Sequence, residues 1–209
     1  PENTQEQEVV AKLIELAADE VISGIIIELP LPEKFDREKI LNLVPVEKDI
    51  DALSARGQEK FYNNDFTLLP PAVRTLEFLF DEYKVNVKGK IATVFGQGIL
   101  IGKPIAHWLE ASGAKVSRID ENTQKPEKFS LQADIIISGV GKPNLINDEM
   151  VKEGAIVVDF GFEKLGGKTM GDVDFNAVAP SASLITPVPG GMGPLSIAAF
   201  LKNADDLAK

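Results

Sequence analysis

The sequence predicts an α/β fold: a parallel sheet with crossover helices, joined to a smaller α/β domain. Three observations predict it. From Lys90 onward, short apolar runs rich in β-branched residues alternate with helical patterns, as strands joined by crossover helices do. The runs end in glycines or acids, namely Gly96, Asp120, Gly139 with Gly141, and Gly161. In open α/β sheets ligands bind at that edge. Finally, Lys90-Ile-Ala-Thr-Val-Phe-Gly-Gln-Gly-Ile-Leu-Ile-Gly-Lys-Pro104 reads as a buried strand, a glycine turn and a helix start. Residues 84–194 are therefore Rossmann-like. Residues 1–83, with a last helix at 195–209 returning to them, make the second domain.

The elements follow in order. Thr4 is placed to cap a helix whose stripe, Val9, Leu13, Leu16 and Ala17, runs to about Glu20. Gly24–Pro30 reads as a buried strand ended by Pro30-Leu-Pro32. Asp36 caps a short helix through Leu43. Glu47–Asp51 is a charged loop or turn, and Ser54–Leu69, with weak periodicity, reads as loop. A helix starts at Pro70-Pro71 and runs to about Tyr83, since proline is tolerated in a first turn. Strands follow at Ile91–Phe95, Lys115–Ile119, Ala133–Ser138, Ala155–Phe160 and Ser183–Ile185, with a short helix at Asn147–Lys152. Thr186–Pro194 is a rigid proline–glycine loop before the last helix, Leu195–Leu207.

The glycine turn gives a ligand access to the backbone. Glycines let the main chain approach a pyrophosphate, and the helix N-terminus adds free N–H groups and a partial positive charge. Gly96, Gly98 and Gly102 form G-x-G-x-x-x-G, one residue longer than the usual dinucleotide fingerprint. Asp120 and Glu121 follow the next strand, where an acid about 20 residues on holds the ribose hydroxyls. The bland alternative is an ordinary tight turn. Lys103 and Lys142 sit near helix starts, either facing a ligand or solvated. His107 reads as packing or surface, and Trp108 as core.

Composition narrows the classes. Net charge is −10 over 209 residues, which opposes nucleic acid or an anionic membrane as main partner. There is no cysteine and a single histidine, so thiolate and His-rich metal sites are excluded and no metal is expected. Nothing approaches a membrane span or a signal segment. These features predict a cytoplasmic protein.

Six stretches then carry a resemblance, standing in one order along the chain. They are Gly24-Ile-Ile-Ile-Glu-Leu-Pro-Leu-Pro32, Glu47-Lys-Asp-Ile-Asp51, Ile101-Gly-Lys-Pro104, Val140-Gly-Lys-Pro143, Gly171-Asp-Val-Asp-Phe175 and Ile185-Thr-Pro-Val-Pro-Gly-Gly-Met-Gly-Pro194. The chain resembles the methylenetetrahydrofolate dehydrogenase/cyclohydrolase family throughout its length. The resemblance implies a two-domain α/β homodimer of one-carbon and purine metabolism. It would oxidise methylenetetrahydrofolate with a nicotinamide cofactor, NADP by resemblance, and hydrolyse the methenyl product to formyltetrahydrofolate. It also implies that Asp51 hydrogen-bonds the pterin, that Glu28 stands where the family has a folate-contacting glutamine, and that Pro189, Gly190 and Gly191 border the substrate. Gly96, Gln97, Gly98, Gly102, Asp120, Glu121, Gly139, Gly141, Phe162 and Thr186 would hold the cofactor. Glu28 and Asp51 would be the catalytic pair.

The departures are specific. The family opens with a strand and helix bearing Tyr-x-x-x-Lys, and no lysine here matches that catalytic group. Either the sequence is a piece, N-terminally incomplete, or it lacks the hydrolytic chemistry. Glu28 has a plain reading as a strand-end charge, and Asp51 as a solvated loop acid. Ala52 replaces a glycine, and Pro71-Ala-Val73 replaces Cys-Thr-Pro. Gln97 and Gly98 replace the arginine and serine of the cofactor turn. With Asp120 and Glu121 they oppose a 2′-phosphate, which seeks Arg or Ser donors, so either NAD is expected over NADP or cofactor binding is lost. A different class stays open: a non-catalytic relative that binds nucleotide or folate. A dehydrogenase of another substrate on this scaffold is a third reading.

Overall fold

A computed structural model describes residues 3–209. Its Cα packing forms two compact units. One runs up to Pro71 and takes in Ala198–Lys209; the other is Ala72–Ile197. The sequence reading put the division at 83/84 and 194/195.

Among the described residues, the first unit includes α1 (Glu6–Ala18), α2 (Arg37–Leu41) and α3 (Ala55–Tyr62). Its core is Leu13, Ile25, Ile40 and Val44, with Val9, Leu16 and Ile27 against them. Gln5, not Thr4, caps α1, and its N–H donates to Glu8 Oε2 at 2.8 Å. The other end is closed by Lys48, whose Nζ donates to the carbonyls of Ala17 (2.8 Å) and Asp19 (2.7 Å). Those are carbonyls a helix cannot pair for itself. Asp36 caps α2 as expected, accepting the N–H of Lys39 at 3.0 Å.

Two expectations for this unit are corrected. Gly24–Pro30 is extended but is not a strand; it makes one parallel bridge, Ile25 to Asp49. An apolar run becomes a strand only when a neighbour pairs its N–H and C=O groups in a ladder. Ser54–Leu69 is not all loop: α3 occupies Ala55–Tyr62, capped by the Ser54 hydroxyl, which accepts the Gly57 N–H at 3.1 Å. Only Gly57 and Phe61 of α3 are buried, one turn apart. That stripe is too narrow to register as periodicity.

In the second unit the chain runs α4 (Pro71–Glu82), β1 (Ile91–Phe95), α5 (Gly102–Ala111), β2 (Lys115–Ile119), α6 (Glu127–Ser130), β3 (Ile135–Ser138) and β4 (Ile156–Asp159). A hairpin, β5 (Glu163–Leu165) with β6 (Lys168–Met170), follows, then α7 (Phe175–Val178) and β7 (Leu184–Ile185). The last helix, α8 (Met192–Leu207), ends in the first unit. The five main strands are all parallel, in the order β2-β1-β3-β4-β7.

Strands β1, β3 and β4 are mainly apolar because both faces are covered; β2, at the sheet edge, reads Lys115-Val-Ser-Arg-Ile119 with only Ile119 buried. Ala92 and Val94 of β1 and all of β3 are buried. The hairpin, α6 and α7 were not anticipated. Each has four residues or fewer, below the length at which a repeat can be read. Asn147–Lys152 is a single 3₁₀ turn at Asp148–Met150. The register sets Ile119, Phe95, Ser138 and Asp159 side by side across four strands. Their C-terminal ends therefore finish on one line.

Candidate cofactor and substrate sites

That line is where the loops carrying most of the predicted residues emerge. Gly96 leaves β1 with φ +84°, and a Cβ there would meet the Gly139 carbonyl at 2.7 Å. Gly102, the first residue of α5, lies over Gly96: a Cβ on it would overlap the Gly96 carbonyl oxygen. Gly139 is pressed by Ile101 in the same way. Gly98 and Gly141 face open space instead, and Gly141 has φ +76°. The turn thus has a tightly packed floor and bare backbone on its open side, a shape that suits phosphate.

The polar residues of this edge divide. Gln97 turns inward, and its Nε2 donates to the carbonyls of Val94 (3.1 Å) and Gly96 (2.9 Å). Its donor is spent on the turn. Asp120 ends β2 and closes a small turn through Oδ1, which accepts Asn122 N–H at 3.0 Å and the Thr123 hydroxyl at 2.8 Å. Glu121 beside it is exposed. Lys103 and Lys142 are also exposed, and Phe162 follows Gly161 with its ring 61% exposed. His107 is half-buried on α5. Trp108 is not fully core: it is half-buried, its ring 6.4 Å from that of Phe80.

Two buried acids at this edge were not among the site residues read from the sequence. Asp159 ends β4 at 2% exposure. Its carboxylate accepts the N–H groups of Gly161 (2.7 Å), Val173 (2.9 Å) and Asp172 (3.2 Å). Burial pushes its pKa up to about 6; those N–H groups pull it down, and the Asp172 charge adds a smaller push upward. Asp172 is fully buried and accepts three hydrogen bonds of its own, from Ser138, Val140 and Lys142. The available signal was Asp159 closing an apolar strand and Asp172 between glycine and valine.

Thr186 is buried, and its hydroxyl oxygen accepts the Asp159 N–H at 2.9 Å. It opens the loop through Pro189, which follows a cis peptide, Gly190 at φ +98°, and Gly191, folded onto the Pro187 carbonyl.

In the first unit Ile25, Ile27, Leu41, Val44 and Leu53 lie around Asp49 and Asp51. Ile25 N–H donates to the Lys48 carbonyl at 2.7 Å, which lays Gly24–Pro30 alongside the Asp49–Asp51 turn. Asp49 is buried and accepts Leu53 N–H (3.2 Å) and Ser54 N–H (2.8 Å). Asp51 is half-buried. Desolvation first and the Asp49 charge second raise its pKa to about 7, with the Ile27 N–H acting against them. Glu28, the next residue after Ile27, is exposed. A perturbed carboxyl set among apolar side chains is a common mark of a functional site.

A doubly covered parallel sheet with a glycine turn and an acid after its second strand defines a dinucleotide-binding α/β protein. Residues 70–209 match the model for the tetrahydrofolate dehydrogenase/cyclohydrolase NAD(P)-binding domain, and residues 1–51 match the catalytic domain of the same enzymes. The chain belongs to the tetrahydrofolate dehydrogenase/cyclohydrolase family. "Bifunctional protein FolD 2" of Lactobacillus johnsonii is 39% identical over 204 residues, covering 98% of this chain and 72% of that protein. The crystal structure of the bifunctional FolD methylenetetrahydrofolate dehydrogenase/cyclohydrolase from Campylobacter jejuni is 36% identical with a TM-score of 0.94. That match covers 99% of this chain and 74% of that one. The Trypanosoma brucei FolD, solved with NADP cofactor and an inhibitor, is 29% identical with a TM-score of 0.93, covering 99% and 73%.

Proposed function

We propose that this chain oxidises methylenetetrahydrofolate to its methenyl form with a nicotinamide cofactor. Hydrolysis of that product to formyltetrahydrofolate accompanies it where an N-terminal segment supplies the family's catalytic lysine; the name of the Campylobacter jejuni relative pairs a dehydrogenase with a cyclohydrolase. The observation that carries the reading is the placing of Asp51: it lies beside the buried Asp49 among apolar side chains, at the position the resemblance gives to the pterin contact, and burial raises its pKa to about 7. A carboxyl near that pKa serves as donor when protonated and acceptor when ionised. A pterin edge presents both kinds of group. Glu28, on the adjoining segment, is the second substrate contact.

The residues at the sheet edge fit a dinucleotide. Gly96, Gly98 and Gly102 leave backbone free for the pyrophosphate, and Asp120 uses only Oδ1 in its own turn. The bound nicotinamide would accept a hydride from the one-carbon unit. The chain's part in that step is to hold and orient: Gly139, Gly141, Phe162 and Thr186 line the cofactor, and Asp51 fixes the pterin. We favour NAD over NADP, since Gln97 has turned its donor inward and two acids follow β2. A cytoplasmic homodimer is the matching state of assembly, tested by sedimentation velocity.

The test is a dehydrogenase assay with methylenetetrahydrofolate and each cofactor. Turnover with a higher kcat/KM for NAD is expected, and Asp51→Ala should raise the folate KM at least tenfold. A clear preference for NADP overturns the cofactor assignment. No turnover with either cofactor, with folate binding intact, points to the non-catalytic relative.

A further inference from the structure

We propose that Asp172 is the positioning residue for the Gly139–Lys142 loop, and through it for the nicotinamide cofactor. The proposal rests on the cofactor reading above. Asp172 comes 30 residues after the end of that loop, in a segment with no assigned part in binding. Its side chain nevertheless reaches the end of β3. Oδ2 accepts the Ser138 hydroxyl and the Val140 N–H, each at 2.7 Å, and Oδ1 accepts the Lys142 N–H at 2.7 Å. The residue is fully buried. A buried carboxylate persists only when its lone pairs are met, so these three donors and the acid fix one another.

The brace has a second tier. Asp159 accepts the N–H groups of Asp172 and Val173, so the end of β4 holds the residue that holds the end of β3. Gly161 and Gly171 make room for it: a Cβ on Gly161 would strike the Asp172 carboxyl, and one on Gly171 would strike that of Asp159. The loop so fixed contains Gly141, open on its outer side, and adjoins Gly96 through Gly139. It therefore completes the wall of the glycine turn. Asp172 has no exposed surface and cannot touch a ligand, which makes its role positioning, not catalysis.

An amide at 172 keeps the size but can accept on one oxygen only. Its NH₂ would face a donor, and the loop would be released. Asp172→Asn should raise the cofactor KM and Kd about tenfold, a loss of one hydrogen-bonded contact's worth. The folate KM, and kcat at saturating cofactor, should stay within about twofold. Amide exchange at Val140 and Lys142 should accelerate in the same variant. Ser138→Ala removes one of the three donors and should weaken cofactor binding about threefold. It reports on the brace should Asp172→Asn not fold. Unchanged cofactor affinity in a folded Asp172→Asn, or in Ser138→Ala where the first does not fold, overturns the proposal. So does a fall in kcat with no change in cofactor KM. If the unmodified chain binds neither NAD nor NADP, the cofactor reading fails instead. Amide exchange then decides the brace alone: faster exchange at both positions upholds the control of the loop, and no change overturns it.

Discussion

Gly102 stands directly over Gly96, so that a methyl group on the first would occupy the space of the second's carbonyl oxygen. The contact ties the start of α5 to the end of β1 at the floor of the turn. Gly102→Ala should therefore destabilise the second unit by more than 2 kcal/mol or so, the range of overpacking in a rigid site. Cofactor affinity should drop with it. Gly98→Ala is the control for stability: its Cβ meets nothing within 4 Å. Urea midpoints of the two variants decide the matter; equal midpoints would contradict the packing described here.

Asp51 makes stability depend on pH in a stated direction. Its ordinary pKa, 3.8, becomes about 7 in the folded chain. The folded state holds the proton more tightly, so the stability linked to it is fully present below about 4. It is lost as pH rises from there to about 7, at up to about 1.4 kcal/mol per unit. Asp51→Asn removes that slope. The variant should gain on the wild type between pH 5 and pH 8 in urea midpoints, and parallel profiles would show that Asp51 titrates normally.

Asn203 is buried on α8 and donates to the carbonyls of Ile50 (3.0 Å) and Leu69 (2.8 Å). Both acceptors belong to the first unit, as Asn203 does. Asn203→Ala strands them in a dry site and should cost about 2–4 kcal/mol. Chemical denaturation measures it, and a loss under about 0.5 kcal/mol would mean that water replaces the amide.

Ser54→Ala should cost about 1 kcal/mol by uncapping α3. Restoration by Ser54→Asp, another good cap, separates capping from packing.

The centre of the sheet was legible because β1, β3 and β4 are mainly apolar and close on glycine or an acid, as Ile91–Gly96 and Ile135–Gly139 illustrate. The segment Gly24–Pro30 carried the same apolar signal without a strand. Pattern records burial, whereas a strand also requires a partner, and Ile25 finds only Asp49. At the site, the glycine positions were readable since their spacing is local. The role of Asp172 was not, because it reaches partners 30 to 34 residues away. Spacing also could not disclose that Gln97 bends back on Val94 and Gly96. The raised carboxyl of Asp51 was equally hidden, for it arises from surroundings that only folding assembles.

The two carboxyls with raised pKa values also change how the molecule moves in an electric field. The formal charge of −10 treats every acid as ionised. With Asp159 titrating near 6 and Asp51 near 7, the folded chain at pH 5 keeps two protons that the unfolded chain has released. Native and denatured forms should therefore differ by nearly two charges there and by almost none at pH 9. Native electrophoresis across a urea gradient would display folding as a change of charge as well as of size.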